Sequence, residues 1–125
     1  MRDLYNNIEV RRALSPVAAA ITDNTAQVSQ IIDMRGWKSM IFCILTGTLA
    51  DADATFTVLI EDGDDSGLSD AAAVADTELL GTEALISFDF ADDDDARKIG
   101  YRGEKRYVRM TITPAGNTGN APLAA

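Results

Sequence analysis

A chain of 125 residues carrying 20 Asp or Glu against 11 Lys or Arg, net charge -9, suits a single domain with one modest core. It has no histidine, which excludes Ser-His-Asp triads, Cys-His dyads and histidine metal sites, and no phosphate-cradling G-x-x-x-x-G-K-[ST] or G-x-G-x-x-G run. The acidity argues against duplex nucleic acid as a main partner, and no apolar run approaches the roughly 20 residues of a membrane helix.

Residues 1–16 predict an extended arm. Leu4 and Ile8 are spaced for one helical turn, but Asn6 and Asn7 are poor helix formers and Pro16 closes the segment. No apolar stretch follows the charges at Arg2 and Asp3, so no secretory leader is expected and a cytoplasmic origin follows. Such an arm is either a loose terminus or a segment that orders against a neighbouring subunit. In the second case Arg2, Leu4, Tyr5, Ile8, Arg11 and Arg12 are its contact residues.

Residues 17–125 predict an all-β domain. Strands are expected at 17–21 and 26–34 around the turn-forming Asp23-Asn24-Thr25, with Val28 and Ile31 or Ile32 facing the core and Trp37 anchoring its edge. The run 40–45 is the most apolar in the chain, so it predicts a central strand in which Cys43 is a small buried hydrophobe. Residues 55–61 alternate, with Phe56, Val58 and Ile60 on one side, and 61–70 is a turn. Residues 71–80 read as irregular or as a short strand near Val74; 85–90 alternates with Ile86, Phe88 and Phe90 together; Asp92–Asp95 is a solvated charge run. Gly100 and Gly103 mark a turn around Tyr101 and Arg102, and 105–113 alternates with Val108, Met110 and Ile112 inward before Pro114 ends the strand. Six or seven short strands and no long amphipathic helix indicate an antiparallel β-sandwich, jelly-roll-like, or a small barrel.

Charge is segregated along the chain. Positions 39–96 hold fifteen Asp or Glu and no basic residue, whereas six of the eleven cations fall between 97 and 109. This basic ribbon either pairs with the acidic loops or meets a partner, with Arg102, Lys105, Arg106, Tyr107 and Arg109 as its interface. Asp62, Asp64, Ser66 and Asp70 match the first half of a calcium loop, but Ala73 stands where the bidentate glutamate belongs, and the match lies between strands. With so many carboxylates, no single pair points to acid-base catalysis, and neither an enzyme nor a cofactor is expected.

The chain resembles small accessory proteins from the head-gene region of tailed bacteriophages. The resemblance rests on IID-x-x-GW at 31–37, TFTVLIEDGD at 55–64, SDAAAVAD-x-x-LLGTEA at 69–84 and, most specifically, GY-x-G-x-KRYVR within KIGY-x-G-x-KRYVR-x-TITPAGNTGNAPLAA at 98–125. Similar proteins often carry one more apolar strand after the stretch matching NAPLAA. The resemblance implies a virion structural component, foremost a capsid decoration or cement protein bound to the major capsid protein and to copies of itself. A head-completion, tail or baseplate ring subunit is the alternative within the virion. A calcium-dependent carbohydrate or adhesion module is the alternative outside it.

Overall fold

The computed structural model describes residues 3–16 and 21–125. Ten strands follow in order: β1 Gln27–Val28, β2 Ile32–Asp33, β3 Met40–Thr46, β4 Thr55–Gly63, β5 Ala72–Ala73, β6 Leu79–Leu80, β7 Phe88–Asp89, β8 Ala96–Tyr101, β9 Tyr107–Ala115 and β10 Leu123–Ala124. Among the described residues they form two antiparallel sheets, and no barrel is closed. The larger sheet centres on β4 and β9, with β1 and β2 along the free side of β9 and β5 and β7 along that of β4. The smaller has the order β10-β3-β8-β6. The fold is thus an all-β sandwich.

Period-2 alternation builds the core. Phe56, Val58 and Ile60 on β4 and Val108, Met110 and Ile112 on β9 point inward, against Phe42 and Ile44 on β3, Ile99 and Tyr101 on β8, Leu79 on β6 and Leu123 on β10. Each such side chain, once buried, contributes about 1.5–3 kcal/mol. Phe56 and Phe88 stack with ring centroids 4.8 Å apart.

Several expected elements differ in detail. The predicted strand at 26–34 is broken. Val28 pairs with Thr111 and Ile32 with Val108, so four steps on this side oppose three on β9 and one residue is extra. That bulge inverts the pattern: Val28 is exposed and Ser29 is buried. The Ser29 hydroxyl accepts from Met110 N–H at 2.9 Å, while Ser29 N–H donates to Met110 O at 2.8 Å. Of the strand expected at 17–21, only Ile21 lies within the described residues, bridging Ala121. Trp37 is exposed, not a core anchor. β9 runs through the buried Pro114 to Ala115, tolerated because β1 ends opposite Ile112, leaving the last residues of β9 a neighbour on one side only.

Residues 83–86 form one helical turn, α1, where a strand is expected from Leu85. Thr82 caps it, its hydroxyl accepting from Leu85 N–H, and Ile86 and Phe88 still reach the core while Phe90 is exposed. The turn lies beside β4 in the gap between β5 and β7. There the Glu83 carboxylate accepts from Ile60 N–H at 2.6 Å and the Ser87 hydroxyl from Val58 N–H at 3.0 Å. The Gly100–Gly103 stretch is not a simple turn either: Gly100 and Tyr101 end β8, with Tyr101 fully buried.

Candidate functional site: the arm and the basic ribbon

The arm has a free part and an anchored part. Ala13 and Leu14 are buried: their N–H groups donate to Ala125 O at 2.8 and 2.7 Å, and Ala13 O accepts from Gln30 N–H at 2.9 Å. Upstream, Asp3 accepts from Asn6 N–H and starts a single 3-10 turn at Tyr5–Asn7, where a wholly extended arm is expected. Leu4, Tyr5, Ile8 and Val10 are all exposed, Tyr5 and Val10 at 88%. Among the described residues Arg11 bonds only Glu9, at 2.6 Å, and Arg12 is exposed. Arg2 lies outside the described residues. Four apolar side chains thus project beyond the point where the chain is secured.

The basic ribbon is mostly engaged within the molecule. On the outer surface of the larger sheet Arg109 faces Glu61 across the β4–β9 pair, with N–O distances of 2.7 and 3.0 Å. Arg106 makes a bidentate pair with Asp33, both contacts 2.9 Å, and its guanidinium lies 5.0 Å from the Tyr107 ring centre. The hydrogen bond from Arg106, followed by that from Arg35 N–H, holds the Asp33 carboxyl down at about 2. Lys105 meets Asp64 at 2.5 Å, a contact that raises the ammonium above its ordinary value. Of the five predicted interface residues at 102–109, Arg102 alone among the cations has no carboxylate partner among the described residues; it donates to Thr77 O at 3.1 Å. The ribbon therefore acts first as an internal clasp.

Arg97 is more deeply tied than the rest. It pairs across from the fully buried Ile44, so its side chain enters the end of the sandwich. There it contacts Asp92 at 2.5 Å and Asp95 at 3.1 Å and donates to the carbonyls of Leu85 and Ser87. Part of the predicted solvated run Asp92–Asp95 is therefore structural, and Asp93 also accepts from Leu49 N–H at 2.7 Å.

The calcium-like loop folds on itself. Asp62 lies within β4, buried, and accepts from the Tyr101 hydroxyl at 2.7 Å. Burial, then the neighbouring Asp62, pushes the Tyr101 phenol up. Asp70 accepts from Asp64 and Asp65 N–H groups, and Asp64 is taken by Lys105; Ser66 is exposed at the tip. The four predicted ligands do not converge, and among the described residues no group of three or more acidic or cysteine side chains is placed to hold a metal.

Two sites have no distinct signal in the sequence. Arg35, Trp37, Lys38 and Arg102 line a shallow cleft at one end of the sandwich, shared with Met34, Gly103, Glu104, Lys105 and Arg106. Asn117 is buried, donating to the carbonyls of Ile21 and Asp23 and locking the C-terminal loop to the 21–24 turn. An Asn among glycines reads locally as a turn, so only the tertiary contact distinguishes it. Comparison with known proteins finds no matching family model, no matching curated protein and no matching solved structure.

Proposed function

We propose that this chain is a non-enzymatic structural protein of a tailed-phage virion, a decoration protein held on the outer shell by protein–protein contacts. The observation that supports it most is the arm: Leu4, Tyr5, Ile8 and Val10 stand in solvent ahead of a segment fastened at Ala13–Leu14. Apolar side chains on a tether of this kind gain by burial against a neighbouring subunit. The acidic body suits the outer side of a shell, since a strongly negative surface is repelled by packaged DNA. The head-region resemblance of residues 98–125 points the same way. Many copies acting together make a weak single contact sufficient.

The test is the ratio of this chain to the major capsid protein in purified particles, with and without residues 1–10. Decoration predicts copies on the order of hundreds per particle, and loss of the truncated protein from particles while its melting temperature holds. A count of roughly a dozen would replace this reading with a ring subunit of head, tail or baseplate. Full retention of the truncated chain would remove the arm from the contact.

A further inference from the structure

Among the described residues, the outer surface of the smaller sheet has no cover beyond Pro16, which shares a shallow cleft with Leu45 and Ala124 at its β10 edge. Residues opposite one another across an antiparallel pair point to the same side. The rows Leu80–Gly100–Ile41, Lys98–Cys43 and Ala96–Leu45–Ala124 therefore all look outward. Ile41, Leu45 and Leu80 are 59%, 55% and 52% exposed, and Cys43, expected in the core, is exposed with them. At Gly100 a Cβ would sit 2.8 Å from the Leu80 Cβ, so the missing side chain lets Leu80 lie across the strand. Lys98 is the single charge in these rows.

The two ends of this surface differ in charge. Beyond Met40 and Tyr101 come Arg35, Lys38 and Arg102, none ion-paired with a carboxylate among the described residues, in company with Glu104 and with Glu78, whose carbonyl accepts from Arg102 N–H at 2.9 Å. Beyond Leu45 and Ala96 come Asp92–Asp95, fixed to the strand end by Thr46 N–H on Asp95 O at 3.0 Å and Asp94 N–H on Gly47 O at 3.1 Å. Arg97 offsets only part of that cluster.

We infer that this face binds a second copy of the chain about a twofold axis lying in the interface and crossing the strands near the middle of β3. A twofold brings one patch against itself. With the axis across the strands, Arg35, Lys38 and Arg102 of each copy approach the aspartates of the other; with the axis along them, the aspartates of the two copies would meet. Lys98 lays its stem on the apolar rows and carries its ammonium toward the facing acidic end. β3 and β8 pair over six residues, roughly 20 Å by 10 Å, with the two-residue strands β10 and β6 added at opposite corners. That is about a third of the 800 Å² per partner usual for a stable complex, so the dimer is weak, with a Kd on the order of 10–100 μM. This self-association is independent of the virion reading and is measured without particles.

Sedimentation velocity on the free protein, from about 5 to 500 μM, should show monomer–dimer exchange, with the emission of Trp37 shifting as the cationic end is covered. Ile41→Lys with Leu45→Lys should keep the circular dichroism spectrum and weaken the dimer at least about tenfold. Orientation is tested by charge exchange. Lys38→Glu with Arg102→Glu makes both ends acidic. Asp93→Asn with Asp94→Lys neutralises the other end, while the amide oxygen introduced at position 93 still offers Leu49 N–H an acceptor. Each variant alone should self-associate more weakly than the parent, and a mixture of the two should form a heterodimer. A chain monomeric at the highest concentration, a dimer that survives the Ile41 and Leu45 changes, or a mixture no tighter than its components would overturn the inference.

Discussion

The two outer faces of the sandwich solve the same problem in opposite ways. On the larger sheet the outward rows are Thr57–Thr113, Leu59–Thr111 and Glu61–Arg109, flanked by the Asp33–Arg106 pair. Its charged groups find their partners inside the chain, 48 and 73 residues away in sequence. The outward rows of the smaller sheet are leucine, isoleucine, alanine and cysteine with one lysine. A surface whose polar groups are already matched gains little from a neighbour, whereas uncovered branched side chains gain from any apolar one. The contrast moves attention from the arginine-rich strand, which its sequence advertises, to β3, which reads as interior.

The largest test of the contrast uses alternate residues of β3. Ile44→Ala should lower unfolding free energy by about 2–5 kcal/mol in urea titration, because it opens a cavity between the sheets. Ile41→Lys on the opposite side should stay within about 0.5 kcal/mol. Equal losses would mean that the outer face of the smaller sheet is covered within the monomer.

Neighbouring residues on β8 give the next. Arg97→Ala removes the guanidinium shared by two aspartates and two carbonyls at the sandwich end, leaving Asp92 and Asp95 only their backbone donors, and should cost about 1–3 kcal/mol. Lys98→Ala should cost almost nothing in thermal melts. A similar size is expected for Tyr101→Phe, about 1–3 kcal/mol, since it leaves the buried Asp62 carboxylate without its hydroxyl donor. The phenol is raised above its ordinary value, so its contribution is complete below pH 10 and declines as pH climbs beyond; the Phe variant should lose that alkaline slope.

The smallest effect belongs to the polar face. Asp33 is held at about 2, below its ordinary value, so its contribution is complete above the ordinary carboxylate range and is lost as pH falls through about 2. In NMR titration Arg106→Ala should return the Asp33 midpoint most of the way to its ordinary value, with little change in stability because both groups are exposed. An unmoved midpoint would show that the pair does not form in solution.

What could be read in the sequence follows from how local each signal is. β4 and β9 alternate so plainly that their inward residues are legible one by one, and the all-β class follows from the rhythm of turns. The bulge at Ser29 is not legible, because its reason is Met110 on another strand and Ala13 in the arm. α1 is hidden because Ile86, Phe88 and Phe90 imitate a strand, and the deciding signal is a single cap at Thr82. In β3 both faces are apolar, so nothing within the run tells which one meets the core. The basic ribbon is visible as charge, but its partners at Asp33, Glu61 and Asp64 depend on sheet register that no short window contains.

The helical turn beside β4 has a further consequence. By plugging two main-chain donors with Glu83 and Ser87, it denies that rim to any incoming extended segment. A molecule crowded alongside therefore cannot lengthen the larger sheet by laying a strand against the middle of β4, and on that flank any meeting falls to side chains instead of the main chain.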